Sequence, residues 1–102
     1  MGRIPIQFRL QVQPMVFVRL YDSLSGLMNR RGFQLRGEDL YRRACEEGLS
    51  LFSFAADLDD LKHINDTYGH AQGDIAIKRI GQALMAAAQG GEPCARIGGD
   101  EF

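Results

Sequence analysis

The 102-residue sequence lacks several features that would assign it to a special class of protein. It has no apolar run approaching the roughly 20 residues of a membrane-spanning helix, and its N-terminus lacks the apolar segment of a signal peptide. It also lacks an excess of one charge, since the formal net charge is −1. Nothing in this balance predicts attraction to nucleic acid or to a membrane. These absences predict a soluble, cytoplasmic chain.

Cysteine is scarce, with Cys45 and Cys94 alone, and internal repeats and low-complexity segments are absent. The two cysteines have neither the close spacing nor the histidine partners of a zinc site, so we expect buried free thiols in a reducing compartment. With 45% hydrophobic and 25% charged residues, the composition predicts one small globular domain or part of one.

Residues 1–20 alternate between apolar and polar side chains up to Pro14, which interrupts the pattern. A period of two predicts a half-buried strand. We interpret this segment as an upstream strand or linker, such as the end of a preceding sensor domain, although a start-site artefact would give the same pattern.

Residues 21–33 are rich in turn formers. The side chains of Asp22, Ser23 and Ser25 can accept hydrogen bonds from local backbone amides, and Gly26 suits a positive φ. The pattern favours a structural turn braced by an Asp–Arg pair. A phosphate-binding role for Arg30 and Arg31 is the second interpretation.

Helical spacing then predicts a helix over residues 33–47, with Gly48 ending it. Its apolar positions are Phe33, Leu40, Tyr41 and Ala44. Two further helices are predicted over residues 61–68, ending at Gly69, and over residues 74–88, with Asp74 at the positive N-terminal end. The apolar stripe of the last helix is formed by Ile77, Ile80, Leu84 and Ala88.

The strand predicted over residues 49–58 is the centre of the sequence. Its nearly continuous apolar character predicts burial on both faces, and it ends in Asp57, Asp59 and Asp60. Carboxylates at the carboxyl end of a buried strand lie where an open α/β sheet binds ligands, and their hard oxygens suit Mg²⁺ with a phosphate substrate.

A second acidic group follows the short strand predicted over residues 94–97. Gly98 and Gly99 allow a tight turn with positive φ and close approach of a ligand to the backbone. Asp100 and Glu101 then lie at the tip of this turn.

The motifs DSLSGLMNRRGF, DLDDLKHINDTYGHAQGD and ARIGGDEF, in this order, resemble the GGDEF-domain diguanylate cyclases over residues 21–102. The resemblance implies an α/β fold, an α+β sandwich in which an adenylyl-cyclase-like sheet is flanked by helices. It implies the condensation of two GTP molecules into cyclic di-GMP with release of two pyrophosphates. It also implies a homodimer, because each half-site contributes one GTP, together with an upstream sensory domain.

The resemblance assigns roles to the acidic residues. Asp57 and the Leu58 carbonyl would bind Mg²⁺ or Mn²⁺, and Asp100 and Glu101 would act in metal binding and in promoting attack by the ribose 3′-hydroxyl. Phosphoryl transfer needs cations on the phosphates and a positioned hydroxyl, so the residue types agree with this assignment.

It also implies that Asn65 and Asp74 read the guanine base. Taken without the resemblance, a turn for Asn65 and an N-cap for Asp74 would be preferred. Other implied substrate contacts are the Lys62 side chain, the backbone amides of Asp60 and Leu61, and the turn glycines Gly98 and Gly99. His63 and His70 are expected to pack or cap rather than to bind metal.

Two departures from the family pattern matter. Gln89 and Glu92 occupy the places of the inhibitory Arg and Asp, so feedback inhibition through such a site is predicted to be lost, since an amide cannot replace the bidentate guanidinium. The chain also ends at the signature, and we expect it to be the N-terminal part of the domain. The alternatives to an active cyclase are a GTP-binding regulatory module and an inactive fragment.

Overall fold

The computed structural model of the protein describes residue 10 and residues 19–102, and it contains three helices within them. These are α1 (Arg30–Glu47), α2 (Leu61–Tyr68) and α3 (His70–Ala87). None of these helices is both long and apolar enough to cross a membrane. The strand predicted over residues 1–20 lies almost wholly outside the described residues.

The turn ahead of α1 is built around Asp22. One oxygen of its carboxylate accepts hydrogen bonds from the Ser25 amide at 2.8 Å and from the Ser25 hydroxyl at 2.7 Å. Gly26 has φ 77°, as predicted. The predicted Asp–Arg brace is also present, but the arginine is Arg96, 74 residues away in the sequence.

Helix α1 begins three residues before the predicted start because Asn29 caps it. The Asn29 side chain accepts from the Gly32 amide at 2.8 Å and donates to the Arg19 carbonyl at 2.8 Å. The helix ends at Gly48 in the left-handed region, with φ 67° and ψ 30°, which confirms the predicted stop. Two predictions on this helix are wrong: Tyr41 is 65% exposed, and Cys45, though free, is exposed. Each follows a residue of the packed face by one position, and the 100° turn per residue carries it away from that face.

Helices α2 and α3 pack against each other and are joined by Gly69 alone. The limits of α2 agree with the prediction. Helix α3 starts four residues earlier than predicted, since Gly69 adopts φ 90° and ψ 162° and lets one helix follow the other directly. Only glycine reaches this backbone region readily. The predicted stripe of α3 faces inward, with Ile77 only 3% exposed.

The core lies where the first turn, α3 and the chain before the signature meet. Its buried members are Ser25, Leu27, Ile77 and Ala95. Met28 forms an antiparallel bridge with Tyr21 and a parallel bridge with Ala95, so three short extended pieces lie side by side beneath α3. The strand predicted over residues 94–97 is present as this single bridge.

The segment predicted as a doubly buried strand, residues 49–58, differs most from expectation. Within residues 19–102 it has one β-bridge, between Asp57 and Glu101, and Phe52 and Phe54 are 78% and 88% exposed. The expected burial on both faces is wrong for these residues. The faces of a strand become buried when helices or another layer cover them, and the exposure of Phe52 and Phe54 shows that no such layer covers them within residues 19–102.

Candidate metal and nucleotide site

The backbone brings Asp57 opposite Glu101. Ala56 and Phe102 exchange both amide–carbonyl hydrogen bonds, at 2.8 and 2.7 Å, and the Leu58 amide donates to the Asp100 carbonyl at 2.7 Å. Asp57 and Glu101 therefore form the non-hydrogen-bonded pair between these two rungs. In such a pair the Cα atoms approach to about 4.5 Å and the side chains leave on the same face.

The signature turn, residues 97–101, closes through the Glu101 carbonyl, which accepts from the Ile97 amide at 2.9 Å and from the Gly98 amide at 3.4 Å. Neither Gly98 nor Gly99 has a positive φ, so that part of the prediction is wrong. Gly98 instead permits a close approach: a Cβ there would lie 3.0 Å from Glu101 Oε2 and 3.2 Å from the Glu101 carboxyl carbon. The absence of a side chain leaves room for the Glu101 carboxylate over the turn.

Three carboxylates converge as a result. Oxygens of Asp57, Asp100 and Glu101 all lie within 4.8 Å of one another, and the three residues are exposed. Asp59 and Asp60, which the sequence placed beside Asp57, are outside this group. The arginine–acid pairs within residues 19–102 use Asp22, Asp39 and Glu46 rather than this triad. A cluster of hard, anionic oxygens without a basic partner suits a divalent cation. Leu58 follows Asp57 directly, and its backbone faces Asp100.

Arg96 stabilises the signature turn. Its guanidinium donates to the Gly99 carbonyl from Nε at 3.1 Å and from Nη2 at 2.8 Å, and its Nη1 lies 3.4 Å from the Asp22 carboxylate. Partial burial alone would raise the pKa of Asp22, but the hydrogen bonds from Ser25 and the charge of Arg96 outweigh it and hold that pKa below 3.8. The backbone just before Asp100 is thereby tied to the first turn of the domain.

The two residues expected at the base lie on the paired helices. Asn65 is in α2 and Asp74 is the fifth residue of α3. The alternative roles are therefore excluded, because Asn65 is in a helix rather than a turn and Asp74 is past the helix start. Between them lies Gly73, which is buried and in contact with the Asn65 side chain.

The expected phosphate contacts lie at the start of α2. Asp60 precedes the helix in the left-handed region, with φ 62° and ψ 19°, and makes no side-chain cap. A non-glycine residue is uncommon there, although aspartate tolerates it better than most. Leu61 and Lys62 are the first two helical residues, and Lys62 is exposed.

Five further residues from the sequence analysis have local structural roles or positions. His63 lies 3.5 Å from the Thr67 hydroxyl within α2, and His70 is the first residue of α3. Glu92 accepts from the Gly90 amide at 3.0 Å, close to the exposed Gln89. Burial, followed by the charge of Glu92, raises the pKa of the free Cys94 thiol.

A family model described as "Diguanylate cyclase, GGDEF domain" matches residues 19–102. The chain belongs to the GGDEF family. A probable diguanylate cyclase of Escherichia coli K12, DgcJ, is 34% identical over 102 residues, which are the whole of this chain and 20% of that protein. The fold is that of GGDEF domains, as the solved structures of relatives show.

Two of those structures are from Caulobacter crescentus. A sensory box/GGDEF family protein is 38% identical, with a TM-score of 0.78 over 81% of this chain and 53% of the other. The GGDEF domain of DgcB, solved in complex with c-di-GMP, is 27% identical, with a TM-score of 0.73 over 92% of this chain and 53% of the other. The chain spans between a fifth and a third of the length of the first curated relatives it matches.

Two residues of the site were missed from the sequence. Arg96 was quoted only as part of ARIGGDEF, and its contact with Asp22 depends on tertiary structure. Gly73 did carry a signal, since a glycine inside a helical pattern usually has a packing reason. The prediction instead started the helix after it.

Proposed function

We propose that the protein is a diguanylate cyclase, which condenses two GTP molecules into cyclic di-GMP and releases two pyrophosphates. The 3′-hydroxyl of each GTP attacks the α-phosphorus of the other, the bond to the β-phosphate breaks, and the hydroxyl proton leaves. The convergence of Asp57, Asp100 and Glu101 within 4.8 Å carries this proposal. The family assignment and the name of the E. coli relative support it.

The residues fit Mg²⁺ or Mn²⁺, since three carboxylates offer the oxygen ligands that both ions accept. We propose that Asp57, the Leu58 carbonyl, Asp100 and Glu101 hold the metal. When bound, the cation neutralises charge on the phosphates and lowers the cost of forming the new P–O bond. Asp100 and Glu101 are also proposed to orient the attacking ribose 3′-hydroxyl.

Substrate binding is proposed to extend from this cluster along α2. The amides of Asp60 and Leu61 and the ammonium of Lys62 would meet the phosphates, and Gly98 and Gly99 would let the nucleotide lie against the turn. The Asn65 amide and the Asp74 carboxylate would meet the guanine edge, where a carboxylate accepts from the N1 and N2 donors.

The reaction requires two substrates in opposed orientations, so we propose that a homodimer performs it. The extended segments around Asp57 and Glu101 are proposed to belong to an adenylyl-cyclase-like sheet flanked by helices. Residues 1–20 are proposed to connect the domain to a sensory domain upstream.

The test is turnover of GTP with Mg²⁺ by the protein at its natural length, with cyclic di-GMP measured by mass. Asp100→Ala should abolish the product. Asp59→Ala is the matched control, since this acid lies in the same stretch but outside the carboxylate cluster. The proposal fails if the wild-type protein makes no cyclic di-GMP, or if the two variants lose activity equally.

A further inference from the structure

Gly73 occupies a position where glycine is unfavourable unless something requires it. It lies inside helix α3, whose first residue is His70, and its φ is not positive. Glycine in a helix interior is less favourable than alanine, because its backbone loses more conformational freedom. The residue is also buried, so a close neighbour can require the absence of a side chain.

The group that lies against Gly73 is the side-chain amide of Asn65. A Cβ at position 73 would collide with the Asn65 Oδ1 and would lie 2.9 Å from its Cγ and 3.4 Å from its Nδ2. The whole amide therefore rests on the backbone of α3, one residue before Asp74. Helix packing at this point is closed by a polar side chain rather than by an apolar one.

A second buried glycine of α3, Gly81, lies against a different kind of group. At Gly81 an added Cβ would collide with the backbone carbonyl oxygen of Ser25 and lie 3.1 Å from its carbonyl carbon. That obstacle is main chain, which cannot rotate away. At Gly73 the obstacle is the end of a side chain, which can.

We propose that Gly73 is a positioning residue for base recognition: by lacking a side chain, it holds the Asn65 amide against α3 beside Asp74, so that both groups face one guanine edge. This inference rests on the proposed function, from which the role of the Asn65 and Asp74 pair is taken. It adds Gly73 as the residue that positions the Asn65 amide beside Asp74.

An alanine at position 73 would displace the Asn65 amide by rotation of its side chain and leave α3 helical, because alanine is the better helix former. The bound base then loses a hydrogen-bonding partner, while the phosphate contacts and the carboxylate cluster are untouched. Losing this bond and leaving its partner unpaired should weaken affinity roughly 10- to 100-fold, which is about 1.4 to 2.8 kcal/mol.

The experiment measures equilibrium binding of GDP and ADP, which carry the base but are not the complete substrate, to the protein at its natural length. Gly73→Ala should weaken GDP binding 10- to 100-fold and leave ADP binding unchanged. In turnover, KM for GTP should rise by the same factor with kcat retained at saturating GTP, since only uniform binding is removed. Gly37→Ala, in an open position of α1, is the control and should change neither.

The Asn65→Ala variant completes a double-mutant cycle. If Gly73 acts through Asn65, the double variant should bind GDP no more weakly than Asn65→Ala alone. Additive losses, or a Gly73→Ala protein with an unchanged preference for GDP over ADP, would overturn the inference while the proposed function stands. A wild-type protein with no preference for GDP would remove the base-recognition part of the proposed function, and the inference with it.

Discussion

The carboxylate cluster and the paired helices are two halves of one proposed site, and they are built in opposite ways. Asp57 and Glu101 come from distant parts of the sequence and meet through a backbone pairing. Asn65 and Asp74 are close in sequence, on helices that Gly69 joins, and Gly73 leaves room for the Asn65 amide against α3. The first half depends on carboxylates that backbone hydrogen bonds bring together. The second depends on the missing side chain of Gly73.

Removing charge from the cluster should have the largest effect. Asp57→Asn keeps the shape but reduces the ligand charge, and we expect kcat to fall roughly 10²- to 10³-fold, as when other transition-state charge stabilisers are lost. The Mg²⁺ concentration for half-maximal rate should rise. Titration of the rate with Mg²⁺ measures both, and the midpoint of thermal unfolding should not fall, since one of three mutually repelling carboxylates is gone.

Filling space in the helical half should affect stability instead. Gly81→Ala places a Cβ against the Ser25 main chain, so we expect a loss of about 1 to 3 kcal/mol in the free energy of unfolding. Denaturant titration measures this, with Gly37→Ala expected to be neutral or stabilising by up to about 1 kcal/mol. Equal effects at the two positions would contradict the packing described for Gly81.

Arg96 contacts both the signature turn and Asp22, so its replacement should affect both stability and catalysis. Arg96→Gln removes the charged donor from the Gly99 carbonyl and from Asp22. We expect a loss of roughly 1.5 to 3 kcal/mol in stability, the range for hydrogen bonds to charged groups, and a lower kcat with KM for GTP little changed. Unchanged kcat in a stably folded variant would show that the turn keeps its shape without this contact.

The smallest effect concerns pH. Because the folded-state pKa of Asp22 is held below 3.8, its ionised form stabilises the fold above that pH, and the contribution is lost as pH falls through the folded pKa. Asp22→Asn should therefore flatten the stability curve below about pH 4. Unfolding midpoints of the two proteins between pH 3 and pH 6 test this, and parallel curves would argue against it.

Local signals in the sequence predicted most of the helical structure. The limits of α2, the stop at Gly48 and the inward stripe of α3 were predicted from spacing and glycine alone. The start of α3 was missed because Gly73 reads as a helix breaker, and its partner Asn65 lies on another helix. Asn29 was missed as a cap because it was read as part of the turn.

The cluster half could be predicted as chemistry but not as geometry. The acids of both motifs were identified, yet nothing local shows that Asp57 joins Asp100 and Glu101 while Asp59 and Asp60 stay apart. That selection comes from the register of the pairing between Asp57 and Glu101. A shift by one residue would put Ala56 or Leu58 in the place of Asp57. The contact between Arg96 and Asp22 could not be predicted from local patterns either, because it joins residues that are far apart in the sequence.

The pairing of Asp57 with Glu101 also has a consequence for the order of folding. The α2–α3 pair lies inside the long loop that this pairing closes, and contacts between near neighbours form before a long loop closes, because loop closure costs chain entropy that local contacts do not. We expect pulse-labelling hydrogen exchange to protect the amides of α2 and α3 before those of Leu58 and Phe102. The carboxylates would then assemble last, on helices that are already formed.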